Sequence, residues 1–251
     1  MTGVRTDLDQ YAAVLAQRYR ALEGEALLRP LIEGEFQGRI ALLSSFGAEA
    51  ALLLDMVAQI DRTVPVIFLD TGKLFGETLR YRDALVARLG LTDLRVLKPD
   101  AAEVERRDPD GVLWRRDPDA CCRLRKVEPL ARGLAGFAAC ISGRKRYQGG
   151  ARASLAGIEA SGGLIKIDPL ANYTPERIAA EFSARGLPPH PLEADGFLSI
   201  GCMPCTDRVA PGEDRRAGRW RGRGKSECGI HRPTTVAGAD SALPPHADMA
   251  R

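Results

Sequence analysis

Short apolar runs alternate along this chain with longer amphipathic ones, and that alternation restricts its fold more than any other feature. Arg39 to Leu43 reads as a short buried strand, and Val64 to Leu69, Leu94 to Leu97 and Phe137 to Ser142 repeat the strand signal. Helical spacing marks residues 48–60, 77–89 and 119–134, with another helix after Asp100. Strands joined through helices need crossover connections, so they run parallel in an open sheet covered on both faces. Two helices, about residues 7–23 and 25–33, precede the first strand. A weaker strand at Leu164 to Ile167 and a helix opened by Thr174-Pro175-Glu176 follow the last. The expected organisation is N-terminal helices (1–36) packed on an α/β domain (37–210), a mobile C-terminal segment (211–232) and a disordered tail (233–251).

Ligands of such sheets lie beyond the carboxyl ends of the strands. Three ends qualify: Ser44 to Gly47, Asp70-Thr71-Gly72 and Ser142-Gly143-Arg144. Ser44-Ser45-Phe46-Gly47-Ala48-Glu49 joins a strand to a helix, where backbone N–H groups and the helix dipole can cradle a phosphate. It lacks a Gly-Lys-Ser/Thr ending and is not a Walker A loop. A plain strand-to-helix turn would look the same.

Charge narrows the ligand further. The chain carries a net charge of +3, yet Thr206 to Arg232 holds eight basic residues against four acidic ones. The basic character is therefore local, which suits a small anionic ligand near the C-terminus and argues against a nucleic acid. No apolar run approaches the roughly 18 to 20 residues of a membrane span, since even Ala50 to Ile60 is interrupted by Asp55 and Gln59.

Four of the six cysteines form two tight pairs, Cys121-Cys122 and Cys202-Met203-Pro204-Cys205, 80 positions apart. Only tertiary folding can bring them together, and Cys-x-x-Cys lets two thiolates converge on one centre. A disulfide framework suits small secreted domains. With 251 residues and no apolar leader after Met1, a reducing, cytoplasmic location is expected. Adjacent helical residues point about 100° apart, which is awkward for one tetrahedral ion and tolerable for a cubane whose corners are separate iron atoms. Iron–sulfur is thereby favoured, with zinc and redox thiols left open. Asp119 is expected to cap the helix that carries Cys121, and Arg123 and Lys126 to offset thiolate charge.

The other cysteines differ. Cys140 lies inside a strand and reads as a buried hydrophobe. Cys228 sits between Lys225 and His231 in the most basic part of the chain, where cations favour the nucleophilic thiolate. His190, in Pro188-Pro189-His190-Pro191, reads as structural.

Taken together, these residues resemble the adenylyl-sulfate (APS) reductases within the phosphoadenylyl-sulfate (PAPS) reductase family, from about Gly38 to His231. The matching stretches are residues 45–49, 69–78, 121–130, 199–206, 216–220 and 227–231, in the family's order. Tyr147 stands where the family often has Asp, Phe197 where Tyr is common, and Arg221-Gly222-Arg223-Gly224 where aromatics are usual.

The resemblance implies an ATP-pyrophosphatase-like nucleotide-binding fold. It further implies one 4Fe-4S cluster held by Cys121, Cys122, Cys202 and Cys205, with Cys228 as nucleophile. In that chemistry Cys228 attacks the substrate's sulfate sulfur, releases AMP and becomes S-sulfocysteine, from which reduced thioredoxin liberates sulfite for cysteine biosynthesis. Substrate contacts would fall on Ser44, Ser45, Gly47, Leu69, Lys126, Gly143, Arg152, Arg216, Arg219 and His231. The resemblance leaves self-association open. Competing readings are PAPS as substrate, an iron–sulfur tRNA thiolase and a non-catalytic iron–sulfur regulator. The paired cysteines speak against the first, the missing Ser-Gly-Gly-x-Asp-Ser loop against the second, and Cys228 in Glu-Cys-Gly-Ile-His against the third.

Overall fold

A computed structural model of the chain describes residues 3–231; the tail expected over 233–251 lies outside the described residues. Helices α1 (Gly3–Arg18) and α2 (Gly24–Pro30) come first, α2 continuing into a π-helical turn at Leu31–Glu35. One carboxylate ties this region together: Glu35 accepts from Tyr11 at 3.0 Å, Tyr19 at 2.8 Å and Arg18 at 2.5 Å.

Strand β1 (Ile40–Leu43) then begins an alternating course through α3 (Ala50–Ile60), β2 (Val66–Leu69), α4 (Gly76–Leu89) and β3 (Leu94–Leu97). Short helices α5 (Ala101–Arg107), α6 (Leu113–Arg116), α7 (Pro118–Cys122) and α8 (Glu128–Gly133) lead to β4 (Ala139–Ile141). The hairpin β5 (Ile158–Ser161) and β6 (Leu164–Ile167) completes the sheet, and α9 (Pro175–Ala184) follows. Asp100 and Thr174 cap α5 and α9 through side-chain oxygens.

The six strands are ordered β3-β2-β1-β4-β6-β5, parallel except for the β5–β6 pair. From β1 the chain moves to β2 and β3 on one side, while β4 is added on the other, pairing Leu42 with Ile141. The crevice between β1 and β4 is thus the topological switch point where ligands of this architecture bind. Period-two alternation assigns the faces. Ile40 and Leu42 enter the large core with Phe46, Leu52 and Phe68, while Ala41 and Ile67 meet Leu130, Phe137 and Cys140 on the other side. Cys140 is an inert core group, as its sequence setting suggests, with burial pushing its thiol up to about 12. No described helix is long and apolar enough to cross a membrane.

Two local expectations need correcting. The helix expected over 119–134 is divided, α7 passing through a π-helical turn at Arg123–Val127 before α8. Its cap is Asp117, which accepts from Ala120 N at 2.9 Å, because Pro118 fills the first helical position and leaves Asp119 inside the helix. The wider turn accompanies the inward course of Arg125, which reaches Asp108 Oδ2 at 2.6 Å and the Thr71 carbonyl at 2.9 Å. Strand β5 was not anticipated, since Ile-Glu-Ala-Ser is short and half polar. Its signal lay in Gly162-Gly163, whose φ values of 66° and 81° make the tight turn into β6.

Candidate active site

The loop after β1 is shaped by Phe46. Its φ of 48° is unusual for a residue with a side chain, and its ring is buried edge-on against Phe68 at 5.4 Å. With the ring pinned inside, Ser44 Oγ accepts from Phe46 N at 3.2 Å, and Ser44, Ser45 and Gly47 line a cavity above the sheet. Gly47 is confined: a Cβ there would come within 3.4 Å of the Ile200 carbonyl and 3.3 Å of Ser45 Oγ.

This cavity, of about 460 Å³, opens at the carboxyl ends of β1 and β4. Gly143 and Lys126 contribute from the turn after β4 and the π-helical turn, and Arg152 from a short 3-10 helix at Gly150–Arg152. The C-terminal segment supplies Arg216, Arg219, Cys228 and His231. Leu69 is the one expected contact that lies elsewhere, in the core at the end of β2.

The cavity is strongly cationic. Burial, with Arg152 beside it, lowers Arg216 to about 10, opposed by Glu227. Burial and the surrounding cations Arg144, Arg152, Lys166 and Arg216 hold His231 well below its ordinary value, so its ring is neutral at pH 7. Arg219 stacks at 4.4 Å on the Trp220 ring and keeps a buried Nε without a partner. That Nε is a donor still to be satisfied. Gly201 makes room for it, since a Cβ there would stand 2.3 Å from the guanidinium.

Several wall residues had no assigned role in the sequence. Glu49 accepts from Lys145 at 2.7 Å and from Tyr147, with Arg215 at 3.5 Å. Burial opposes its ionisation, yet Lys145 and Tyr147 hold it below the usual carboxylate range. Tyr147 thus donates where an Asp would repel. Beneath the turn after β4, buried Asp168 binds Ser142 and Arg144 and braces Gly143. Glu227 meets Arg152 at 2.6 Å and Arg216 at 3.1 Å; a carboxylate beside the cysteine of a cationic segment was the available signal.

A second, small pocket adjoins the first, and all four paired cysteines line it. All four are free thiols. Burial pushes Cys121 up to about 11 and Cys122 to about 12, and raises Cys205. At Cys202 burial acts the same way, but Lys126, the Thr71 hydroxyl at 3.2 Å and Arg219 prevail and lower it. Among the described residues no group of three or more His, Cys, Asp or Glu side chains is placed to hold a single metal ion. Four thiols around one pocket, without a carboxylate or imidazole among its walls, form a soft donor set. It fits a cluster, in which each cysteine binds its own iron, better than one tetrahedral ion. Lys126 and Trp220 line both cavities and form the wall between them.

The C-terminal segment is fastened over this pocket. Arg223 stacks on Trp114 at 4.8 Å and donates to its carbonyl at 2.9 Å, while Lys225 binds Asp119. The basic residues after Trp220 thus dock the segment where aromatics are usual in the resembling family.

Residues 39–208 match the model of the phosphoadenosine phosphosulfate reductase domain. The chain belongs to that family. It is 53% identical over 229 residues to adenosine 5'-phosphosulfate reductase of Mesorhizobium japonicum, covering 90% of each protein. The crystal structure of phosphoadenylyl-sulfate (PAPS) reductase from Candida auris, a phosphate complex, matches with a TM-score of 0.67 at 28% identity, covering 80% of this chain and 97% of that one. Candida glabrata FMN adenylyltransferase shares the fold alone, with a TM-score of 0.54 at 15% identity over 91% of this chain and 79% of that one. The nucleotide-binding fold and the family expected from the motifs are both found.

Proposed function

We propose that this chain reduces adenosine 5'-phosphosulfate to sulfite and AMP, with Cys228 as nucleophile and reduced thioredoxin as electron donor. The observation that carries the reading is the convergence of a phosphate-type loop, three arginines, Lys126 and Cys228 on one cavity at the sheet's switch point. The family assignment and the name of the Mesorhizobium relative support the substrate class.

The Ser44–Gly47 loop takes the α-phosphate, and Arg152, Arg216 and Arg219 take the sulfate, whose oxygens suit guanidinium forks. The unsatisfied Arg219 Nε then gains its acceptor. The Cys228 thiolate attacks the sulfate sulfur; an S–S bond forms, the S–O bond to AMP breaks, and AMP leaves with the electron pair. A thioredoxin thiolate next attacks Cys228 Sγ of the S-sulfocysteine and sulfite departs. The second thioredoxin thiol resolves the mixed disulfide and restores Cys228. His231, neutral in its cationic surroundings, donates a hydrogen bond without adding charge. Leu69, off the cavity, supports adenosine only through the strand end it builds.

Cys121, Cys122, Cys202 and Cys205 hold one 4Fe-4S cluster, which when bound supplies structural order and an electrostatic field. Lys126, facing both cavities, sets its charge between these thiols and the sulfate. A reducing cytoplasm, sulfate assimilation and a main domain that carries a separate C-terminal segment at 211–232 belong to the same reading. Intact mass after mixing with adenosine 5'-phosphosulfate, without reductant, tests it: a gain of about 80 Da on Cys228 is expected. Protein of full iron content that gains no mass would overturn it.

A further inference from the structure

Glu227 places its carboxylate in the cationic part of the cavity, against the arginines assigned to the substrate. Arg152 Nε and Nη2 donate to its two oxygens at 2.6 and 3.0 Å. Arg216 Nη2 shares Oε1 at 3.1 Å and holds the Ser226 carbonyl at 2.8 Å. This paired geometry is the one a guanidinium offers to carboxylate, sulfate and phosphate oxygens alike. We infer that Glu227 is a positioning residue whose carboxylate occupies the site of the substrate's terminal anion until that anion displaces it. The inference rests on the reading that Arg152 and Arg216 receive the sulfate.

One fork holds one such anion at a time, so entry of a phosphosulfate releases Glu227. The consequence reaches Cys228, its neighbour in the chain. The segment is anchored on both sides: Lys225 binds Asp119, and Lys166 Nζ donates to the His231 carbonyl at 3.0 Å. Ile230 is packed on the sheet's second apolar face. Between these anchors only residues 226–229 are left to move, and Gly229, at φ 88°, gives them a pivot. Exchange of one anion for another therefore frees the nucleophile from its arginine tether at the moment the sulfate arrives. A nucleotide without a second anionic group leaves the tether in place.

AMP and ADP separate the two states without chemistry, since the β-phosphate of ADP stands where the sulfate would. In the full-length protein with its cluster, ADP is expected to speed hydrogen exchange in a peptide spanning 226–229 about threefold or more, while AMP leaves it unchanged. Binding that quickens exchange is opposite to ordinary ligand protection. Glu227→Gln should exchange fast without nucleotide and bind ADP about tenfold tighter, with AMP affinity altered less than about twofold. The nucleotide comparison in the unaltered protein stands without any variant. If ADP binds but slows or leaves this exchange unchanged, or if E227Q binds ADP no tighter, the role of Glu227 falls and the proposed function survives. If neither nucleotide binds the unaltered protein, the reading of the cavity falls and this inference with it.

Discussion

The two cavities meet at Lys126 and Trp220 and give the same functional group contrasting surroundings. In the small one, Cys121, Cys122 and Cys202 are buried and Cys205 half-buried, and burial raises every thiol but Cys202, where the cations prevail. In the large one, a single half-buried thiol stands among arginines beside space for a ligand. In the proposed reading, enclosure divides the cysteines: those lining the closed pocket serve as ligands, and the one in the open cavity serves as nucleophile.

The most severe test removes Cys228. C228S should lose the sulfite adduct and at least about 10³-fold in turnover, while its iron content stays unchanged. Loss of iron as well would merge the two cavities into one functional unit. Conversely, C202A should retain less than about a tenth of the bound iron and of the associated visible absorbance. Full iron retention would remove Cys202 from the ligand set.

Acid inactivation must be assigned before either cavity is blamed for it. His190 is buried; Leu192 N donates to its Nδ1 at 3.2 Å, so Nε2–H donates to Thr78 Oγ1 at 3.1 Å and the ring is neutral. Burial, opposed by Glu77, lowers it to about 4. The unfolded chain therefore takes up a proton before the native one does. Stability is complete above about pH 6.5 and lost as pH falls towards 4, by up to about 3 kcal/mol. H190Q should flatten that slope in denaturant titrations with the cysteine pocket untouched.

Within the large cavity, R216A should lower kcat/KM about 10²-fold, and R216K should recover only part, because lysine lacks the fork. The mildest change is G201A. Its methyl group displaces the end of a flexible arginine and no backbone, so ADP binding should weaken about tenfold with little change in melting temperature. A large stability loss would show instead that Arg219 braces the fold.

The centre of the sheet was legible because β1, β2 and β4 are buried along nearly their whole length and helices α3 and α4 keep their period. The divided helix at 118–133 was not, since α and π turns share nearly the same apolar spacing and tertiary contacts at Arg125 choose between them. At the candidate site, residues near strand ends or inside motifs could be placed along the chain, and nine of the ten expected substrate contacts line one cavity. Leu69 could not be told apart from its neighbours, because a strand's last residue faces either the ligand or the core. Glu227 and Glu49 were opaque for a related reason: each takes its meaning from cations that folding brings from distant segments, Arg152 for one and Lys145 for the other.

The small pocket also orders events during synthesis. Its first cysteine pair precedes β4 and its second follows α9, so the parallel pairing of β4, the β5–β6 hairpin and α9 all lie between them. A ribosome must deliver Cys205 before the four thiols can face one another. A chain halted before Cys202 presents only the first pair, and the four thiols can face one pocket only once everything from β1 to α9 has been made.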